Sequence, residues 1–186
     1  MDTYVNLTLQ PDEDFPAHLL MDALLAKLHR VLVTLGENRI GISFPQWRQG
    51  DYPTLGTVLR LHGTEPSLQA LMQQAWLRGM RDHLNIQGPQ PIPAVQGWLK
   101  VQRHHASSAT NMRRRAMRRH GYSEAEAKAR IPDSASDRLN LPFTTQRSTS
   151  TGQTYRLFIR QTEAASATPP HFNSHGLSTG GTVPKF

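Results

Sequence analysis

The sequence predicts an α+β fold, and two observations carry that prediction. Apolar residues recur in the order β-α-β-β-α-β over residues 1–88, which is the split βαβ arrangement of ferredoxin-like domains. Charge then divides the chain, because residues 1–95 hold 7 basic and 9 acidic side chains whereas residues 96–186 hold 14 and 5. We therefore expect an N-terminal ferredoxin-like domain and a C-terminal α/β domain, a degenerate ferredoxin-like unit, that carries most of the positive charge.

The first half begins with a strand at residues 4–9, where apolar and polar side chains alternate. A helix follows from Pro16, with leucines at steps of three and four until Gly36 ends the pattern. The remaining predicted elements are strands at 40–44 and 55–62, a helix at 66–80 and a short strand at 83–87. A proline-rich run then interrupts regular structure, so we expect domains at 1–88 and 95–186 joined by a stiff linker at 89–94.

The second half has a less regular pattern. Strands are predicted at 95–102, 143–147 and 155–160, with a polar turn at 148–153. A helix at 107–120 ends at Gly121, and Ser123 and Glu126 form the capping box of a shorter helix. Residues 176–184 are rich in glycine, so we expect a C-terminal loop whose backbone N–H groups can approach a phosphate.

The run from Arg113 to Arg119 contains five arginines in seven residues. At about 100° per residue, one arc of a helix holds four of them and a neighbouring arc is apolar. The basic arc is Arg114, Arg115, Arg118 and Arg119, and the apolar arc is Ala109, Met112 and Ala116. A solvated helix face is the ordinary explanation of such a charge block. The run contains no acidic side chain, however, and this favours a polyanion ligand, with nucleic acid the first candidate.

Composition excludes several classes of protein. The chain has no cysteine, which rules out disulfides and thiolate metal sites and fits a reducing cytoplasm. No apolar run approaches about 18 residues and no signal peptide opens the chain, so we expect a cytoplasmic protein that does not enter a membrane. The nine histidines show no metal-ligand spacing, and the basic half has no D-x-D or D-x-E pair, so we expect neither a metal nor another cofactor.

RNA can be cut without a metal when the neighbouring ribose 2′-hydroxyl attacks the phosphodiester with the help of a general base. The products are a 2′,3′-cyclic phosphate and a 5′-hydroxyl, and DNA is spared. His29 lies near the C-terminal end of the first predicted helix, and Ser148 and Ser150 lie in the polar turn. Taken alone, such a histidine is most often structural and such serines are turn formers.

Motifs along nearly the whole chain form one pattern. They are residues 1–2, 15–16, 27–29, 39–45, 113–120, 123–127, 130–133, 141–143, 147–153, 156–160 and 176–178. This pattern resembles the repeat-processing endoribonuclease of type I-F CRISPR systems. The resemblance implies an enzyme that binds a short hairpin of the CRISPR repeat in precursor crRNA and cuts 3′ of the stem. It also implies that the enzyme stays bound to the mature crRNA, together with other subunits of the type I-F surveillance complex.

The resemblance further implies roles for single residues. His29 matches the general base, and Ser148 matches the serine that orients the 2′-hydroxyl, with Ser150 in the same turn as a further candidate. Tyr155 would stack on the base pair at the foot of the stem. The arginine helix would lie in the RNA major groove and contact it through Arg114, Arg115, Arg118 and Arg119. Two further residues, Lys100 and Gln102, would read bases.

Two positions depart from the family pattern. Lys100 stands where the family has an arginine, and lysine lacks the planar fork that binds guanine through two hydrogen bonds. His175 stands where the family often has a tyrosine near the catalytic histidine. We expect His175 to act in catalysis as a hydrogen-bond donor or as a second titrating group.

Groove geometry limits the RNA that the arginine helix can bind. The major groove of A-form RNA is deep and narrow, so a helix enters it only where the duplex is short or widened near a loop. We therefore expect residues 95–186 to bind a stem-loop of a few base pairs. Two alternatives stay open, namely a non-catalytic RNA hairpin-binding protein and, favoured only by the basic helix, a DNA-binding regulator.

Overall fold

A computed structural model of the chain describes residues 1–105, 109–135, 139–148 and 151–186. In these ranges, single 3₁₀ turns lie at Ala75–Leu77, Arg81–His83 and Asp133–Ala135. The helices are α1 (Ala17–Leu35), α2 (Glu65–Gln73), α3 (Ala109–His120) and α4 (Glu124–Arg130). The strands are β1 (Thr3–Leu9), β2 (Gly41–Ser43), β3 (Val58–Gly63), β4 (Leu84–Pro91), β5 (Gly97–His104), β6 (Phe143–Arg147), β7 (Thr154–Ala164) and β8 (Val183–Lys185).

The strands form two four-stranded antiparallel sheets, in the orders β2-β3-β1-β4 and β6-β7-β5-β8. In the first sheet β3 lies between β1 and β2, which is the predicted split βαβ arrangement. The second sheet repeats this strand order, with α3 and α4 between its first two strands in the chain. Its second helix is missing, because residues 165–182 form a long loop between β7 and β8. The predicted α+β fold, with a degenerate second unit, is therefore confirmed.

The helices of the first half follow their apolar spacing, with one correction. The first helix begins after Pro16 and ends at Gly36, whose φ of 62° closes it with hydrogen bonds to the carbonyls of Leu32 and Val33. The second helix was predicted to reach residue 80 but ends at Gln73, and a 3₁₀ turn follows. The apolar side chains of residues 76, 77 and 80 are still buried, which explains why their spacing predicted a longer helix. None of the helices in the described ranges is long and apolar enough to cross a membrane.

Strand β4 continues through Pro91, so it includes part of the segment 89–94 that was predicted to be a linker. The prolines are tolerated there because β4 is an edge strand, which among the described strands is hydrogen-bonded only to β1. A register irregularity between Tyr4 and Asn6 on β1 accompanies this pairing. The division of the chain into domains at 1–88 and 95–186 stays a prediction.

The C-terminal segment differs most from its prediction. Residues 183–185 form β8, which pairs with β5. The backbone N–H groups of Thr179 and Gly181 both donate to the carbonyl of His171, at 3.1 and 3.0 Å. They are therefore satisfied within the protein, and the expectation that this glycine-rich loop offers these groups to a phosphate is wrong for both.

A single hydrophobic core joins the two sheets, since Leu99, Val101 and Ile159 of the second sheet belong to the same buried cluster as the core of the first. Hydrogen bonds cross this junction. Gln161 Nε2 donates to the carbonyl of Phe44 and its Oε1 accepts from the amide of the same residue, at 3.2 and 3.0 Å. This packing fixes α1 against β6 and so sets the position of the candidate site.

The core also contains a fully buried histidine. His62 Nε2 lies 2.8 Å from Ser43 Oγ, and its Nδ1 has no hydrogen-bond partner among the described residues. Burial, assisted by the positive charge of Arg60, lowers the pKa of His62 from 6.5 to about 3.

We expect this histidine to make the protein less stable in mild acid. The unfolded chain binds a proton at His62 near pH 6.5 whereas the folded chain does so only near pH 3. The contribution of His62 to the free energy of unfolding is therefore fully present above pH 6.5 and is lost as the pH falls. The loss between pH 7 and pH 5 is about 2 kcal/mol. Urea unfolding at pH 7 and at pH 5 measures this decrease in the free energy of unfolding. His62→Gln should show a smaller decrease, and an unchanged decrease would contradict this assignment.

Candidate active site

The inner face of the second sheet, which packs on the first half, ends in polar side chains. Because side chains alternate along a strand, Arg103 continues the buried row of Leu99 and Val101 on β5. In the same way, Tyr155 continues the row of the buried Leu157 on β7. Arg103 is exposed and Tyr155 is half-buried, so both lie where this face of the sheet meets solvent.

Ser148 has the same relation to β6. It follows the buried side chains of Thr144 and Gln146, and its amide donates to the carbonyl of Gln153 at 2.9 Å, which continues the pairing of β6 with β7. Gln146 Nε2 also donates to the carbonyl of Asp22 on α1, at 3.2 Å. Strand β6 therefore brings Ser148 to the same end of the sheet as Arg103 and Tyr155, on the side that α1 covers.

His29 faces a loop from the other end of the chain. Its Nδ1 lies 2.9 Å from the carbonyl oxygen of Ser174. A carbonyl only accepts, so Nδ1 donates, and in the neutral ring it carries the proton. Nε2 is then the basic nitrogen. The His29 ring stacks on that of His175, with centroids 3.9 Å apart, and Asn173 Oδ1 holds the amide of His175 at 2.9 Å.

The loop of residues 173–178, here called the histidine loop, is attached to both sheets. Its Gly176 carbonyl accepts from the amide of Ile42 on β2 at 3.0 Å, and its Ser178 amide donates to the carbonyl of Val101 on β5 at 2.7 Å. Gly176 has a φ of 73°, and a β-carbon there would lie 2.7 Å from the Ile42 side chain. Glycine is therefore required where the chain turns after the histidine.

His175 is a neutral group at ordinary pH. Burial, the neighbouring His29 and the positive charge of Arg103 together lower the pKa of His175 from 6.5 to about 4. Its Nε2 is buried and has no hydrogen-bond partner within the described parts of the chain. This environment does not support the expectation that His175 titrates near neutral pH. It is compatible with the other expectation, that His175 acts beside His29 as a hydrogen-bond donor.

Arg103 was missed in the sequence, because the predicted strand ended at residue 102. Its guanidinium carbon lies 5.6 Å from the centroid of the Tyr155 ring, and its charge acts on His175. Arg103 is therefore a neighbour of the base-stacking candidate, and its charge reaches the histidine pair. The alternation of Leu99 and Val101, extended by one step, would have found it.

The arginine helix has the predicted faces. Ala109 is buried, Met112 and Ala116 are half-buried, and the four arginines of the basic arc are exposed. Arg113 turns inward instead, where its Nε donates to the carbonyl of Ile131 and its Nη2 pairs with Asp133, each at 2.7 Å. This residue fastens α3 to the segment after α4, whose predicted capping box is also present.

Lys100 and Gln102 lie on the outer face of β5, opposite to Arg103. They are paired across the sheet with Thr162 and Arg160 of β7. The predicted base-reading residues therefore belong to a different surface from His29 and His175. Ser150, the remaining predicted site residue, lies outside the described residues. In the described ranges, no three His, Asp or Glu side chains lie together as the ligands of a metal ion would.

Comparisons with known proteins agree on one family. Residues 4–186 match the model of a family described as CRISPR-associated protein (Cas_Csy4). The chain is 45% identical to the CRISPR-associated endonuclease Cas6/Csy4 of Pseudomonas aeruginosa (strain UCBPP-PA14) over 188 residues, which is 100% of both chains. It is 36% identical to the protein of the same name from Escherichia coli (strain UTI89 / UPEC) over 189 residues, again 100% of both.

Proposed function

Because this chain belongs to the Cas_Csy4 family and is a CRISPR-associated endonuclease, we propose that it cuts the repeat hairpin of precursor crRNA by attack of a ribose 2′-hydroxyl. The observation that supports this best is the hydrogen bond from His29 Nδ1 to the Ser174 carbonyl. It leaves Nε2 as the nitrogen that can take a proton. The two named relatives are full-length matches, so the proposal concerns the whole chain.

In the proposed reaction His29 Nε2 takes the proton of the 2′-hydroxyl while the 2′-oxygen attacks the phosphorus. The bond from phosphorus to the 5′-oxygen breaks, and that oxygen takes a proton from solvent. The products are a 2′,3′-cyclic phosphate and a 5′-hydroxyl. Ser148 orients the attacking hydroxyl, with Ser150 as a further candidate from the sequence. His175 stays neutral and holds the His29 ring by stacking.

The hairpin is held by other groups. The exposed arc of α3 lies in the major groove of the stem and contacts phosphates, and its charge is not neutralised by acidic side chains of the same helix. Tyr155 stacks on the base pair at the foot of the stem. Lys100 and Gln102 contact base edges from the outer face of β5, where lysine gives charge but no bidentate geometry. The cut then falls 3′ of the stem.

The test is cleavage of the repeat hairpin in EDTA. We expect two fragments, one of which ends in a cyclic phosphate that acid converts to a monophosphate detectable by mass spectrometry. A 2′-deoxy substitution at the scissile nucleotide should prevent cleavage without preventing binding. Hairpin that binds but stays intact would favour a non-catalytic RNA-binding protein, and a deoxy substrate that is still cut would exclude the 2′-hydroxyl mechanism.

We further propose that the protein keeps the hairpin fragment after cleavage and carries it into the type I-F surveillance complex with other subunits. The arginine helix contacts the stem and not the departing strand, so cleavage removes few of its contacts. Size-exclusion chromatography after complete cleavage should show the stem fragment eluting with the protein. Release of both fragments at the same rate would contradict retention.

A further inference from the structure

We infer that Arg103 is an additional catalytic residue, which binds the scissile phosphate and stabilises the negative charge on its oxygens during cleavage. The inference rests on the proposed function. It adds an electrostatic group to a reaction in which His29 takes a proton and Ser148 orients the attacking hydroxyl.

Strand β5 of the second sheet sets the position of Arg103. It is the last inward-facing residue of β5, paired with Ile159 of β7, and it extends the buried row of Leu99 and Val101 into solvent. The histidine loop is hydrogen-bonded to β5 at Val101, two residues before Arg103, through both the amide and the hydroxyl of Ser178. The strand therefore carries Arg103 and anchors the loop that carries His175, so these two hydrogen bonds hold the backbone of the loop beside the strand.

Arg103 has an aromatic ring and a histidine pair as neighbours. Its guanidinium carbon is 5.6 Å from the Tyr155 ring centroid, and its charge acts on His175, which stacks on His29 at 3.9 Å. In the proposed function the cut lies next to the base pair that stacks on Tyr155, so a scissile phosphate beside that pair and within reach of His29 would have Arg103 as its nearby cation.

The charge of Arg103 is available for a ligand. No carboxylate of the described residues lies within ion-pair distance of it, in contrast to Arg113, which pairs with Asp133. Arg103 is exposed, and its guanidinium carbon lies 5.6 Å from the Tyr155 ring centroid, so its N–H groups can be reached by a ligand from solvent. A planar guanidinium with free N–H donors matches two oxygens of one phosphate.

This placement has a chemical consequence for the transition state. When the 2′-oxygen attacks, negative charge accumulates on the non-bridging oxygens of the five-coordinate phosphorus. A fixed cation beside those oxygens stabilises the transition state more than the bound substrate, and so it increases the rate more than the affinity. Arg103 neither gains nor loses a proton or a covalent bond in this step.

The test compares Arg103→Ala and Arg103→Lys in two assays, single-turnover cleavage of the repeat hairpin and binding of the uncleavable 2′-deoxy hairpin. We expect Arg103→Ala to lower the cleavage rate about a hundredfold, with a much smaller loss of affinity. Arg103→Lys should recover part of the rate, because lysine keeps the charge but not the fork. Arg81→Ala, which removes an exposed arginine in a 3₁₀ turn of the first half, is the matched control and should leave both values unchanged.

A double variant separates this role from simple support of Tyr155. If Arg103 acted only by holding that ring, adding Arg103→Ala to Tyr155→Ala would cause no further loss, whereas contact with the phosphate predicts a second decrease in rate. Melting temperatures exclude unfolding, and Arg103→Gln serves if the alanine variant is unstable. Equal losses of rate and affinity, or no loss of rate, would overturn the inference. If the unchanged protein does not cut the hairpin in EDTA, the proposed function itself fails.

Discussion

Replacing His29 with alanine should stop hairpin cleavage, lowering the single-turnover rate by about a hundredfold or more, while the hairpin still binds. The imidazole takes a proton only in the transition state, so its loss affects the rate and not the contacts of the arginine helix. The orientation of the ring, fixed by Ser174 and His175, makes this effect specific to position 29. Cleavage of a labelled hairpin and binding of its 2′-deoxy form measure the two quantities.

The chain offers a matched control for this experiment. His18 lies on the same helix but in its first turn, where it is exposed, and His18→Ala should cut at the normal rate. His175→Ala should give a smaller loss than His29→Ala, since it removes a stacking partner and not the base. Loss of binding in His29→Ala equal to the loss of cleavage would undo the assignment of His29 as the base.

Replacing Arg115 and Arg119 with alanine should weaken binding of the 2′-deoxy hairpin and make that binding less sensitive to salt. Each arginine that contacts a phosphate releases counterions on binding, so removing one should reduce the slope of log affinity against log salt by about 1. Both side chains lie on the exposed arc of α3. Titrations between about 50 and 200 mM salt measure the slope.

Two further variants define what this result means. Arg81→Ala removes the same charge elsewhere on the surface and should leave the slope unchanged. Arg113→Ala should act mainly on stability, because this side chain joins α3 to Ile131 and Asp133 instead of facing outward. Weaker binding with an unchanged salt slope would contradict phosphate contact by Arg115 and Arg119.

Local patterns in the sequence predicted much of this protein correctly. The faces of α3 follow from helical periodicity alone, and the capping box of α4 follows from two residues three positions apart. The order of elements that makes the first sheet is also local information. These predictions succeeded because each depends on residues within a few turns of one another.

The parts that could not be predicted depend on contacts between distant residues. Prolines in β4 argue against a strand unless the strand is known to be at an edge, and the edge is set by pairing with β1. The stacking of His29 on His175 brings together residues from opposite ends of the chain, and neither ring carries a local signal of it. Arg103 is a different case, because it was overlooked only where the predicted strand ended at residue 102, one position too early.

The attachment of His29 to the histidine loop has a consequence for synthesis of the protein on the ribosome. The carbonyl that orients this base is 145 residues further along the chain. At about 5–20 residues per second, translation reaches it roughly 7 to 30 seconds after His29 has been added. During that interval His29 has neither the hydrogen bond nor the stacked ring. In the proposed mechanism the base is not oriented until then, so we expect RNA cleavage to begin only when the last segment has been made and folded.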